Sequence, residues 1–175
     1  MGKLILYIAT SLDGYVARSS GEVDWLFTDQ DYGYEAFYET CDRLLMGRNT
    51  YEQIQSWGDY PYPDKQGFVF SQTIQQDHDD NVTFVSSDLV SFVNNLKNQD
   101  GKDIWLVGGA AIAKTCLENN LVDKFILSIH PIILGEGIAL FPPPLPTLNL
   151  KLEDLQVFNT GLVQITYQVD LATPE

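Results

Sequence analysis

A chain of 175 residues is long enough to bury one substantial core and short for two comfortable domains, so residues 1–175 are expected to form a single domain. Its composition, 45% hydrophobic and 19% charged, is that of an ordinary globular protein, and no apolar run approaches the roughly 20 residues of a membrane span. A formal net charge of −14, with the ten Lys and Arg scattered, argues against a nucleic-acid backbone or an anionic membrane surface as partner.

Lys3 to Thr10 read as a first strand, nearly continuously apolar and therefore central in a sheet. The start lacks the long apolar core and cleavage site of a signal peptide, which points to the cytoplasm. Ser11 to Gly14 break the strand, and Arg18 to Asp29 form a long polar loop plugged by Val23, Trp25, Leu26 and Phe27. Tyr34, Phe37, Tyr38 and Cys41 follow helical spacing. Leu44 to Met46 make a short buried strand, Gly47 punctuates it, and Thr50 to Ile54 begin a helix. Phe68 to Phe70 and Val82 to Val85 are two further short strands. Ser87 is the expected N-cap, with Asp88 in the first turn, of a helix burying Leu89, Val93 and Leu96 and ending near Gly101.

Ile104 to Val107 are again an unbroken apolar run stopped by Gly108 and Gly109, after which Ile112, Ala113, Cys116 and Leu117 recur at helical spacing. Lys124 to His130 form a strand, Pro131 to Gly137 a glycine-hinged loop, and Pro142 to Pro144 a stiff connector. Val163, Ile165, Tyr167 and Val169 alternate with polar residues, and Asn159 to Gly161 separate them from a strand centred on Val157, an antiparallel hairpin with one wet face. The order implies an α/β fold with a mostly parallel sheet and an antiparallel edge. Cys41 and Cys116, both on expected helix stripes, read as reduced core thiols, and neither a disulfide nor a metal site is expected. His78 belongs to a solvated acidic turn, and His130 to a strand end beside Pro131.

The chemistry concentrates at the two strand-glycine-helix turns. Glycines admit a ligand close to the backbone, and the free N–H groups and dipole of a helix start favour an anion. Met46-Gly-Arg-Asn-Thr-Tyr51 adds the guanidinium of Arg48, which can fork onto a phosphate. Parallel strands ending at one edge bring such turns into one crevice, and two anion sites side by side suit a dinucleotide. Phe70-Ser71-Gln72-Thr73 is either a polar strand terminus or a donor set for the adenosine side. No GxGxxG fingerprint is present, so an ordinary Rossmann domain is unsupported.

Ile8-Ala-Thr-Ser-Leu-Asp-Gly-Tyr-Val-Ala17, Val23-Asp-Trp-Leu26, Leu45-Met-Gly-Arg-Asn-Thr-Tyr-Glu52, Phe70-Ser-Gln72, Leu106-Val-Gly-Gly-Ala110 and Pro131-Ile-Ile-Leu-Gly135 occur in that order. Together they resemble the dihydrofolate reductase superfamily over nearly the whole chain, most of all the reductase domain of the bacterial bifunctional riboflavin-biosynthesis deaminase-reductases. The resemblance implies a three-layer α/β/α fold, NADPH as cofactor and a homodimer. Carried over by motif, Gly47, Arg48, Asn49 and Thr50, with Gly108, Gly109, Ala110, Ala111 and Ile112, hold the phosphates. Arg48, Ser71 and Gln72 lie near the 2′-phosphate, and Ala9, Thr10, Val16 and Ala17 line the nicotinamide.

The same resemblance puts Asp13, Gly14 and Trp25 at the substrate end. Asp13 is then the candidate for orienting substrate, or else a residue of the Asp-Gly turn. Asp31 stands where folate reductases carry a pteridine-binding carboxylate, or else is an acid at a helix start. The expected activity is NADPH-dependent reduction of a small molecule, a pterin-like or riboflavin-precursor substrate, as in the phosphoribosylamino-uracil reductases. The alternatives are dihydrofolate reduction and, in another class, a non-catalytic dinucleotide-binding or interaction protein. No zinc-ligand cluster for a deaminase is present. A ribosyl phosphate on the substrate calls for a cation, and Arg18 is the one evident in that loop.

Overall fold

The computed structural model describes residues 1–74 and 76–170. Strand β1 (Leu4–Ser11) is followed by the short β2 (Tyr15–Ala17), helix α1 (Tyr34–Thr40), β3 (Cys41–Gly47) and α2 (Arg48–Ser56). Then come β4 (Gln66–Phe70), β5 (Val82–Val85), α3 (Leu89–Asn98), β6 (Asp103–Gly108) and α4 (Ala110–Glu118). The chain continues through β7 (Lys124–His130), β8 (Ile138–Ala139), β9 (Asn149–Val157) and β10 (Val163–Asp170).

Eight of these strands form one sheet, ordered β5-β4-β3-β6-β1-β7-β10-β9, while β2 and β8 pair separately. The pairings from β5 through β7 are parallel, and those of β10 with β7 and with β9 are antiparallel. β1 is central, with Leu6 opposite Leu106 on one side and Phe125 on the other. Its apolar run is continuous because both faces are covered. Leu4 and Leu6 join Val93, Leu96, Ile112 and Cys116 of α3 and α4, whereas Ile5 joins Phe37, Tyr51 and Ile54 of α1 and α2. The result is the expected α/β/α layering.

The chain leaves β3 through α2 toward β4, and leaves the adjacent β6 through α4 toward β7 on the other face. That is a topological switch, the place where open α/β sheets present a crevice beyond the carboxyl ends of their strands. The ladder between β3 and β6 is itself irregular, slipping at Leu45/Met46.

Several local expectations are corrected. Cys41 is not on a helical stripe: it ends α1 and begins β3, fully buried, and its fit to the helical spacing reflects the sharp turn into the strand. The N-cap of α3 is Asp88, whose Oδ2 accepts from the Ser91 N–H at 2.8 Å, not Ser87, and the helix stops at Asn98. Val157 is the last residue of β9, not its centre.

The hairpin also reverses part of its expected polarity. Gln164, on the face expected to be wet, is buried and donates to the Tyr32 carbonyl and to Ser128 Oγ, because the segment before α1 packs over it. The apolar side chains of β9 are the exposed ones. Cys41 and Cys116 are buried free thiols, and burial pushes them up to about 11 and about 12 respectively. Among the described residues no group of His, Cys, Asp or Glu could hold a metal, and no helix is long and apolar enough to cross a membrane.

Candidate active site

The helix starts of α2 and α4 meet at the switch point. Gly109, the N-cap of α4, has φ +102, a conformation L side chains rarely adopt. A Cβ on Gly109 would lie 3.3 Å from the Cα and N of Gly47, and one on Gly47 would lie 3.7 Å from the Gly109 Cα. The two glycines let the two helix starts converge, each with unsatisfied N–H groups.

These turns line a groove of about 950 Å³. Of the residues expected at the cofactor, Ala9, Val16, Ala17, Gly47, Arg48, Asn49, Thr50 and Gly108 through Ile112 all face it. Thr10 does not: it is buried behind the groove, its hydroxyl donating toward the Ser11 and Tyr15 carbonyls. Ser71 and Gln72 also lie outside the lining. The Ser71 Oγ accepts from the Thr73 and Ile74 amides, and Thr73 Oγ1 in turn accepts from Arg48 Nη1 at 2.6 Å. Thr73 thus stands between Arg48 and the end of β4. The Arg48 guanidinium also meets Glu52 one turn along α2.

A second cavity of about 360 Å³ shares Tyr7, Ala9 and Leu26 with the groove. Its walls are aromatic: Phe27, Tyr32, Tyr34 and His130 surround Tyr7, whose ring stacks on Phe37 at 4.2 Å beneath the site. Burial raises the pKa of the Tyr7 phenol, so its hydroxyl stays protonated near neutrality, beside Gln164, Ser128 and Asp31. Asp31 lines this cavity. Its oxygens accept the Gly33 and Glu35 amides at 2.9 and 2.8 Å, which leaves lone pairs for a ligand.

His130 is fully engaged. Its Nε2 accepts the Phe27 N–H at 3.2 Å and its Nδ1 lies 3.2 Å from the Ser128 carbonyl, so the proton sits on Nδ1 and the ring is neutral. Burial lowers its pKa. The ring ties the long loop before α1 to the end of β7.

The other residues expected at the substrate line neither cavity. Asp13 lines neither cavity: its Oδ1 accepts from Ser11 Oγ and the Leu134 N–H, and its Oδ2 from the Gly135 N–H. These bonds, Ser11 foremost, hold its carboxyl below the usual range. It staples the segment after β7 to the end of β1. Gly14, at φ +84, turns the chain there and accepts the Leu140 amide. Trp25 packs edge-on against His130 at 5.1 Å, behind the cavity wall. Arg18 is bound bidentately by Asp24 at 2.6 and 3.0 Å and faces neither cavity.

Ser128 carries no mark of a site in the sequence, and Phe27 stands out there only as part of the apolar plug of the long loop. Tyr7 has only one signal, a hydroxyl-bearing ring within the otherwise aliphatic run Leu4 to Ala9, in phase with Ala9.

The profile of the RibD C-terminal domain matches residues 2–164. The chain belongs to that family. It is 39% identical over 180 aligned residues to the uncharacterized protein YyaP of Bacillus subtilis strain 168, covering 94% of each chain. A solved protein from Shewanella sp. PV-4 assigned to riboflavin biosynthesis superposes with a TM-score of 0.84 at 33% identity, over 96% of this chain and 99% of that one. The deaminase/reductase of Thermotoga maritima superposes at 0.76 over 97% of this chain and 57% of its own, and at 15% identity that likeness concerns the fold alone. The family, with the Shewanella neighbour, supports a riboflavin-biosynthesis reductase-like function.

Proposed function

We propose that the chain is an NADPH-dependent reductase, one domain over residues 1–175, acting on a pterin-like or riboflavin-precursor ring. One observation carries this reading. Two glycine-marked helix starts and Arg48 line a single groove, which shares Tyr7, Ala9 and Leu26 with an adjoining aromatic cavity. The fit to a dinucleotide rests on the bare backbone at Gly47 and Gly109: a Cβ on Gly109 would press on the Gly47 main chain at 3.3 Å, and one on Gly47, though free of clashes, would stand where a ligand approaches.

When bound, the nicotinamide supplies the hydride. The residues Gly47 to Thr50 and Gly108 to Ile112 would hold the diphosphate, and Arg48 with Thr73 the 2′-phosphate. Ala9, Val16 and Ala17 would form the nicotinamide wall. Tyr7 Oη donates toward the substrate ring, Asp31 accepts from it, and the loop locked by His130 excludes water.

Tryptophan fluorescence during NADPH titration tests the reading, with Trp57 and Trp105 lining the groove. Saturation at micromolar concentration is expected, and none at millimolar concentration refutes it. Dihydrofolate reduction is the second reading, drawn from Asp31 in the smaller cavity, and NADPH oxidation with dihydrofolate against a ribosylaminouracil separates the two.

The two inert thiols suit a reducing cytoplasm. We also assign a homodimer. Leu150, Leu152, Leu155 and Val157 of the edge strand β9 are all exposed, and a second copy offers the same unpaired edge and apolar face in return.

A further inference from the structure

All ten Lys and Arg fall within the described residues. Arg43, Lys97, Lys102 and Lys124 gather at the opposite end of the sheet, where the strands begin. There Arg43 is buried and donates to the Leu96 and Lys102 carbonyls, Lys97 meets Asp123 at 2.6 Å, and Lys124 meets Glu153 at 2.6 Å. Arg18, in the loop nearest the substrate end, is committed to Asp24. Only Arg48 faces either cavity, and it faces the larger one.

The smaller cavity therefore combines aromatic walls with one carboxylate, Asp31, and no cation among its described lining residues. A phosphate monoester brings about −1.5 to −2 charges at neutral pH. Such a group gains nothing from this lining, meets the field of Asp31, and enters a protein of net charge −14. Planar rings, by contrast, suit the walls of Tyr7, Phe27 and Tyr34, and a ring N–H or amino group suits the free lone pairs of Asp31. About 360 Å³ is at the small end for a ligand pocket.

We propose that the smaller cavity takes a planar, unphosphorylated substrate, neutral or cationic, with a donor group facing Asp31. This rests on the reductase reading above and departs from the phosphoribosyl substrate named for the Thermotoga maritima protein. One ring with and without its phosphate decides the matter: 5-amino-6-ribosylaminouracil and its 5′-phosphate, titrated against the whole chain with and without saturating NADP⁺. Tryptophan fluorescence is the readout, since Trp25 packs on His130 of the cavity wall.

The unphosphorylated compound is expected to bind at least about tenfold more tightly at low salt, the ratio narrowing as salt screens the repulsion. Gln30 lies exposed at the cavity rim. A Gln30→Lys variant is expected to reverse or abolish the preference. Equal or tighter binding of the phosphate by the wild-type chain overturns the proposal, and so does failure of both compounds to saturate at millimolar concentration. Failure of the cofactor reading would show separately, as absent NADPH saturation, while the comparison of the two ligands without cofactor still stands.

Discussion

Gly47 and Gly109 approach backbone to backbone, and their tolerance for a methyl group is unequal. A Cβ on Gly47 would make ordinary contacts, the nearest at 3.5 Å to Ile112 Cδ1, whereas one on Gly109 would press at 3.3 Å on the Gly47 main chain from a residue at φ +102. Gly109→Ala is expected to lose about 1–3 kcal/mol of stability. Gly47→Ala should stay within about 1 kcal/mol of the parent yet weaken NADPH binding. Urea denaturation and cofactor titration of both variants measure the difference, and equal destabilisation would contradict the assigned geometry.

Arg48 is the lone guanidinium of the groove, and its Nη1 already holds Thr73. Charge-assisted hydrogen bonds contribute about 1.5–3 kcal/mol. Arg48→Ala should therefore weaken NADPH by roughly ten- to a hundredfold while leaving NADH nearly unchanged. An unaltered NADPH-to-NADH ratio in titration excludes Arg48 from the 2′-phosphate.

His130 is held neutral between the Phe27 amide and the Ser128 carbonyl, with its pKa below the ordinary value. A depressed base means that the unfolded chain takes up a proton the folded chain refuses. Its contribution is then full above about pH 6.5 and falls as pH drops through the folded value. In His130→Gln this part of the acid-side loss of stability should vanish, and Phe27 amide exchange should become independent of pH-driven unlocking. Parallel stability curves for parent and variant from pH 7 to pH 5 would count against the lock.

Asp13, for all its position in the first motif, is engaged by Ser11, Leu134 and Gly135. Asp13→Asn is expected to speed hydrogen exchange at the Leu134 and Gly135 amides, with KM for substrate moving less than the exchange rates. A selective rise in KM with unchanged exchange would return Asp13 to the substrate.

On β9, Leu155 is 53% and Val157 73% exposed. Leu155→Glu should shift the sedimentation coefficient from dimer to monomer without altering the circular dichroism of the fold. A parent chain that sediments as a monomer at micromolar concentration removes the dimer instead.

Much of the frame was legible because it rests on local rules. The doubly covered strands β1 and β6 read as unbroken apolar runs, and the glycines at Gly47 and Gly108-Gly109 marked both helix starts of the groove. What escaped was decided by distant packing. Cys41 satisfies a helical stripe and a strand start equally well, and only the turn after Thr40 chooses. β2 and β8 are too short to signal themselves and exist because the segment after β7 folds back onto the end of β1. The smaller cavity draws Tyr7 from β1, Ser128 from β7 and Phe27 from a loop, three separations that no spacing rule encodes. Asp13 shows the converse, a motif residue with one partner next door, Ser11, and two, Leu134 and Gly135, more than a hundred residues away.

The slipped ladder between β3 and β6 makes that boundary the sheet's seam, with β5-β4-β3 on one side and the remaining five strands on the other. A ligand grasped at once by the starts of α2 and α4 would span this seam. Occupancy of the groove would then act as a suture, tying two panels of the sheet together at the very place where their backbone pairing is least regular.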